Sequence, residues 1–513
     1  MRLFEFFDKQ ADLRPDAPAV LHGSSVVTYG QIQTESRKIA NAMMETGLAR
    51  GAKIATWIHN HPSFFSVQLG VHRTPFVWMP LNYRAIAAEC AANMEAFGAE
   101  WLFIDVQFAE HIAFLRAKVP SLKGVVVLNG EVAGVPSLES FCGEATAMPC
   151  ELDVGPLDTV TLISTGGSTG RPKGVMRVSA NWMALIVNYR LKLFAGSRPV
   201  NLVATPLSHV AGEVAHAVFA EGGVNVILER TSPELILEAI ERHSITSLFV
   251  PPTLLYMMLA RHVPGKHSYA SLRHLMYGAA PISVEKLREA WSVFGPVMTQ
   301  LYGLMEATST VSIMGPDEHA QAFESPRFGS IGRGSPLVMI DVRDKDGRFV
   351  AAGKKGEVVC RGSNLCGGYE ANPEATASAF REGWFHTGDI GIKDEQGYVH
   401  LVDRSKDIII SGGFNVYPGE VEQVLWTHPA IQDCAVIGVP DDKWGEAVTA
   451  VVELKPGASV AESELIALCK DQLGSIRTPK SVAIWQSLPR SNVGKVLKKD
   501  IREHYWNAAG RTI

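Results

Sequence analysis

Short apolar runs alternate along most of the chain with stretches whose apolar positions recur at helical spacing. Residues 53–58 and 101–105 read as strands, and residues 31–46 carry the three-to-four residue period of a helix. Residues 201–206, 224–229 and 247–250 continue the strand pattern, with 233–243 a helix between the last two. Such alternation implies α/β layers on largely parallel sheets. Near Ile331 the texture changes. Residues 338–343, 356–361 and 398–402 are short strands punctuated by Asp-Gly and Gly-Gly turns, which predicts a small β-rich subdomain. A charged stretch, Asp403-Arg404-Ser405-Lys406-Asp407, follows. Beyond it, helices at 418–427 and 462–473 and strands at 433–439, 448–454 and 482–485 form a compact α+β unit. The boundary is placed at Arg404–Lys406, giving a domain of residues 1–404 and another of 405–513. The expected fold class is α/β: a large N-terminal domain of layered α/β subdomains with a small β-rich subdomain, then a small α+β C-terminal domain.

Composition narrows the class. The 513 residues are 46% hydrophobic and 20% charged, enough chain for more than one packed core. A net charge of −5 supplies no basic field for nucleic acid or an anionic membrane. The cysteines (Cys90, Cys142, Cys150, Cys360, Cys366, Cys434 and Cys469) are odd in number and form no CxxC pair, so reduced thiols are expected. The N-terminus, Met1-Arg2-Leu3-Phe4-Glu5-Phe6-Phe7-Asp8, carries an acid inside its short apolar patch, unlike a signal peptide. No uncharged apolar run reaches the length of about 18 residues that a spanning helix needs, and Arg511-Thr512-Ile513 is no targeting tripeptide. A cytoplasmic protein without a membrane span is expected.

Chemistry enters at Ser164-Thr165-Gly166-Gly167-Ser168-Thr169-Gly170-Arg171-Pro172-Lys173-Gly174, after a strand at 159–163. Glycines let backbone N–H groups converge on an anion, hydroxyls add donors, and a lysine supplies charge. A Walker A loop would run from Gly-Lys-Ser/Thr into a helix. Here Pro172 precedes the lysine and Gly174 follows it, which fits a strand–loop–strand hairpin that binds phosphate.

This segment resembles the hallmark loop of the adenylate-forming superfamily, which includes acyl-CoA synthetases, amino-acid-adenylating domains and beetle luciferases. Further motifs extend the resemblance in order over nearly the whole chain. Tyr277-Gly278-Ala279-Ala280-Pro281 is similar to the family's adenine-edge turn. Gln300-Leu301-Tyr302-Gly303-Leu304-Met305-Glu306 resembles its Tyr-Gly-x-Thr-Glu motif, which implies that Tyr302 stacks on adenine and Glu306 helps hold Mg²⁺. Met305 stands where the family has threonine, so a hydroxyl aimed at the α-phosphate is absent, with Thr165 or Thr308 as substitute donors. Asp389, in Gly383-Trp384-Phe385-His386-Thr387-Gly388-Asp389, matches the carboxylate that bonds the ribose hydroxyls. Arg404 matches an arginine on ribose or phosphate, and Lys406 the hinge. Ser411-Gly412-Gly413-Phe414 resembles the loop lining the pantetheine tunnel. Lys495, in Leu488-Pro489-Arg490-Ser491-Asn492-Val493-Gly494-Lys495, matches the lysine that bridges substrate carboxylate and α-phosphate. Lys498 and Lys499 read as surface residues.

The resemblance implies an ATP-dependent carboxylic acid–CoA ligase that uses ATP, CoA and Mg²⁺, with Lys173, Glu306 and Lys495 as the working residues. A C-terminal domain that moves about Lys406 is part of that expectation. His209, in Thr205-Pro206-Leu207-Ser208-His209-Val210-Ala211-Gly212, is expected to border the acyl site with Val210, Ala211, Tyr277, Gly278 and Leu304. These are small or apolar apart from His209, which suits an aryl or a medium-to-long aliphatic acid. Rival readings are transfer to a carrier protein in trans, luciferase-like oxidation, and a catalytically impaired nucleotide-binding protein suggested by Met305. The segment around Lys495 also resembles family sites of lysine acetylation, so a lysine acetyltransferase is an expected partner. Oligomeric state stays open, with a homodimer one option.

Overall fold

A computed structural model of the chain describes residues 1–150, 154–165, 172–441, 444–491 and 494–508. Two sheets with parallel cores organise the large domain. One has six strands in the order Gly124–Leu128, Ala99–Asp105, Lys53–Trp57, Val77–Pro80, Thr159–Thr165 and Lys173–Val178. All its neighbours are parallel except the last pair. The other has eight strands, ordered Ser312–Met314, Met298–Tyr302, His274–Gly278, Ser247–Val250, Val200–Val203, Val224–Ile227, Pro18–His22 and Ser25–Thr28. Antiparallel pairs close both of its edges.

Helices Ser63–His72 and Val210–Ala220 lie in the core shared by the two sheets, together with Ile54 and Phe103 from one and Val203, Met276 and Leu301 from the other. Every residue of the first helix is buried, as is every residue of the second beyond Val210. Helices enclosed on all sides carry no polar stripe, and neither sequence has one.

The expected β-rich subdomain is an antiparallel sheet. Val338–Arg343, Lys355–Gly362 and Trp384–Lys393 run side by side, and Phe380–Arg381 and Val399–Arg404 also pair with the third of these. Strand Val399–Arg404 belongs to this sheet. After the single turn Ser405–Asp407, strand Ile409–Ser411 belongs to the next one. In that C-terminal sheet, Cys434 and Val436 face helices Pro418–Trp426 and Glu462–Arg477, while Ala435 and Ile437 face Ile501 of helix Lys498–Ala508. The two-residue alternation of a strand puts successive side chains on opposite faces, so both faces of this sheet are covered. The α/β class, the large layered domain and the small α+β domain are as the sequence pattern predicts. No helix among the described residues is long and apolar enough to cross a membrane, and all the cysteines are free thiols.

Candidate active site

In open parallel sheets, ligands gather beyond the carboxyl ends of the strands. That edge carries the motif segments here: Thr165 ends one strand, Thr205–His209 follow Val200–Val203, Ala279 follows Gly278, and Gly303–Glu306 follow Tyr302. Thr165 pairs with Lys173 across an antiparallel hairpin, the local geometry expected of the phosphate loop. Gly166, Gly167, Ser168, Thr169 and Gly170 lie outside the described residues.

A segment from another part of the chain lies along this hairpin. Val175 bridges to Tyr369, the N–H of Glu370 donates to the Gly174 carbonyl at 2.8 Å, and the N–H of Met176 donates to the Gly368 carbonyl at 3.0 Å. Tyr369 consequently sits between two candidate catalytic groups. Its ring centroid is 5.1 Å from Lys173 Nζ, and its hydroxyl donates to Glu306 Oε1 at 2.7 Å. Burial and then the Glu306 carboxylate push the phenol's pKa upward, so it stays protonated and keeps donating. Sequence reasoning did not find Tyr369. Its only local mark is the glycine pair before it.

Glu306 rides a single 3₁₀ turn, Met305–Ala307. Met305 packs against the cluster of Val175, Cys366 and Tyr369, and its carbonyl accepts from Arg177 Nε at 3.1 Å. Thr308 is fully buried and gives its hydroxyl to the Asn364 carbonyl at 2.9 Å, so it is not a spare donor for phosphate. Among the described residues, the Thr165 hydroxyl makes a long 3.4 Å bond to the Lys173 carbonyl.

Asp389 and Arg404 are paired across neighbouring strands of the β-rich sheet. Asp389 is 4% exposed. Tyr302 donates its hydroxyl to Asp389 Oδ2 at 2.6 Å, and Arg404 Nε lies 2.9 Å from Oδ1. A carboxylate has about four acceptor positions, so hydroxyls can still be added at each oxygen. The Tyr302 ring packs with Ala307, Val311 and Phe385. Gln300 is buried in the same strand, opposite Tyr277.

At the adenine-edge segment, a Cβ on Gly278 would fall 2.1 Å from the Leu301 carbonyl oxygen, and Ala279 takes a left-handed φ of 68°. Such a conformation in a non-glycine residue marks a constrained turn. Ala280 follows it in the chain. The Tyr277 side chain points into the core instead: its hydroxyl meets His319 Nε2 at 2.9 Å. Burial holds the His319 pKa down at about 4, so the neutral ring donates from Nδ1 to the Gly315 carbonyl and accepts from Tyr277 at Nε2. His209 caps helix Val210–Ala220, its Nδ1 2.9 Å from Ser208 Oγ. Burial lowers its pKa to about 4 too, so its ring is neutral. Val210 and Ala211 follow on that helix, and Leu304 packs beside Tyr302.

The small domain supplies the second lysine. Gly494 abuts the large domain, its carbonyl accepting from Thr253 Oγ1 at 2.9 Å. Lys495 follows, close enough to Arg404, Asp389, Lys406 and Asp407 to feel their charges. Burial, then the Arg404 and Lys406 charges, lower its pKa to about 8 against the partial opposition of Asp389 and Asp407. Gly412 and Gly413 form a left-handed turn at φ 58° and 82° between Ser411 and Phe414, with Phe414 exposed. Lys406 is exposed in the turn between the sheets. Lys498, read from sequence as a surface residue, instead reaches Glu422 at 2.7 Å, and Lys499 is exposed as expected.

Residues 7–370 match the AMP-binding enzyme family, and residues 420–495 match the AMP-binding enzyme C-terminal domain. A feruloyl-CoA synthase from an Amycolatopsis species is 35% identical over 97% of this chain and 98% of its own length. A medium/long-chain-fatty-acid–CoA ligase of Mycobacterium tuberculosis is 32% identical over 97% of this chain and 89% of its own. Among solved structures, the amide bond synthetase of Marinactinospora thermotolerans superposes with a TM-score of 0.89 at 30% identity, covering 98% of this chain and all of that one. With both units matched and these relatives aligned nearly end to end, the chain belongs to the AMP-binding enzymes, in the acyl-CoA synthetase family of the adenylate-forming superfamily.

Proposed function

We propose that the protein is an AMP-forming carboxylic acid–CoA ligase acting on an aryl or a medium-to-long aliphatic acid. The observation that carries this is the meeting of Lys495, from the small domain, with Asp389 and Arg404 of the large one. A cation delivered there faces the point where two anions must react.

In the first half-reaction a carboxylate oxygen attacks the α-phosphorus of ATP, and the bond to pyrophosphate breaks, leaving acyl-AMP. Lys173 and the glycine-rich loop neutralise the departing phosphates, and Lys495 neutralises the reacting oxygens. Asp389 accepts from the ribose hydroxyls, with Tyr302 and Arg404 holding its carboxylate in place. Glu306 is a hard oxygen ligand, and among the described residues no cluster of three metal-binding side chains exists. That donor set fits Mg²⁺, which usually enters on one or two carboxylates with phosphates and waters. The ion would add positive charge beside the triphosphate.

In the second half-reaction the small domain turns about Lys406, withdraws Lys495 and brings the loop of Ser411, Gly412, Gly413 and Phe414 to the site. The CoA sulfur attacks the acyl carbon, the bond to AMP breaks, and the thiol proton goes to solvent. Domain rotation of this kind lets one site run two steps. Lys495, an amine with a lowered pKa, is also the proposed target of an acetyltransferase, since the free amine is the nucleophile.

The test is a panel of aryl and aliphatic acids, ferulate and decanoate included, assayed for AMP release with CoA and for thioester mass. Acid-dependent pyrophosphate without thioester would point to another acceptor. No pyrophosphate with any acid would refute the ligase reading.

A further inference from the structure

Arg177 is among the largest fully buried side chains in the molecule. A buried guanidinium must be paired and hydrogen-bonded to be tolerated, and its partners come from two directions. Nη1 lies 2.5 Å from Glu213 Oε1, itself buried, in the first turn of the helix that His209 caps. Nε donates to the Met305 carbonyl at 3.1 Å, and Nη2 lies 3.8 Å from the Met305 sulfur. One side chain therefore joins the strand after the phosphate loop, the helix carrying His209, Val210 and Ala211, and the turn carrying Glu306.

That turn needs holding. Thr308 and Ser309 both take left-handed φ angles, 42° and 54°, which L-residues adopt only when surrounding structure enforces them. On the far side, Asn364 Nδ2 donates to the carbonyls of Ala307 at 2.7 Å and Thr310 at 3.2 Å. The Cys366 N–H holds the Glu306 carbonyl at 2.7 Å. Arg177 holds the near side, one residue before the carboxylate.

We propose that Arg177, oriented by Glu213, is a positioning residue that fixes the Met305 carbonyl and so aims the Glu306 carboxylate at the nucleotide's metal. This rests on the reading of Glu306 as the metal carboxylate. The planar fork of arginine suits the task because it serves a carboxylate and a carbonyl along different edges at once.

The test uses the double variant Arg177→Met/Glu213→Leu. Removing both charges leaves neither one buried alone, so its melting temperature should stay near wild type, whereas Arg177→Met alone should melt well below it. ATP affinity is then measured calorimetrically in excess Mg²⁺ and in EDTA, a readout independent of the unknown acid. Wild type should bind ATP at least about tenfold more tightly with Mg²⁺. Glu306→Gln should lose that gain. The folded double variant should lose most of it, with its affinity in EDTA unchanged, and Arg177→Lys should recover only part. A folded double variant that keeps the full gain would reduce Arg177 to a packing role and overturn the proposal. If wild type shows no gain, or Glu306→Gln keeps it, the reading of Glu306 falls and takes the proposal with it.

Discussion

Lys495 carries a cost that can be measured. Its ammonium is half-buried beside Arg404 and Lys406, and its pKa is lowered to about 8 from the ordinary 10.5. Each pH unit is worth about 1.4 kcal/mol, so docking the charged lysine at neutral pH costs on the order of 3 kcal/mol before substrates arrive. The sign is that of a base with a depressed pKa. Between pH 8 and 10.5 a solvent-exposed Lys495 binds more protons than the docked one. The penalty is therefore complete below pH 8 and fades as pH rises toward 10.5. Bound carboxylate and α-phosphate reverse the balance, because two anions favour the charged amine.

The assay is acid-dependent pyrophosphate release, with kcat/KM followed from pH 6 to 10, since that ratio reports groups of the free enzyme. In the proposed mechanism only the ammonium neutralises the reacting oxygens, so kcat/KM should fall above pH 8. At pH 9 about a tenth of the lysine remains protonated. The limb in kcat should lie higher, because bound anions hold the proton. In Lys495→Arg, whose guanidinium does not titrate in this range, the basic limb should vanish whatever rate remains. A wild-type profile flat to pH 10, or the same limb in Lys495→Arg, would refute the reasoning.

Three further outcomes concern Tyr369, Gly412 and Met305. Tyr369→Phe keeps the ring near Lys173 but removes the 2.7 Å bond to Glu306. Hydrogen bonds to charged groups are worth about 1.5–3 kcal/mol, so kcat/KM for ATP should drop roughly tenfold or more while KM for the acid holds; an unchanged ATP dependence would show the bond to be idle. Gly412→Ala puts a Cβ into left-handed backbone 2.8 Å from the Trp444 ring. Thioester formation should suffer while pyrophosphate release stays within about twofold, and equal losses in both would separate this turn from the CoA step. Met305→Thr gives up packing against Val175 and Cys366 but restores a hydroxyl beside Glu306. Its melting temperature should fall, with adenylation preserved or raised, and a severe loss of adenylation would show that the thioether itself is needed.

What could be read from the chain and what could not divides along a physical line. The hairpin at 159–178 was legible because its signals are contiguous: strand, glycines, Pro172 and Lys173 lie within one short segment. Strand 247–250, buried at every position, was legible as a short apolar run, and the change of texture near Ile331 by its short strands and Asp-Gly and Gly-Gly turns. Helices Ser63–His72 and Val210–Ala220 were not, because burial on every side erases the stripe that betrays a helix. Tyr369, Arg177 and Asn364 escaped for a different reason. Tyr369 reaches Glu306 across 63 positions, and Arg177 reaches Met305 across 128. No local pattern marks such partners; Tyr369 and Asn364 come from the β-rich segment and Met305 from the turn after strand Met298–Tyr302, and only folding makes them neighbours of Glu306 and Arg177. The same distinction separates the two lysines. Lys173 is held by its own hairpin, so its proposed contact with phosphate needs only local structure. Lys495 comes from another domain and sits there at the cost of an unfavourable charge, and in the proposed mechanism its presence there is a state the enzyme leaves. That reversibility is what a reaction in two halves requires.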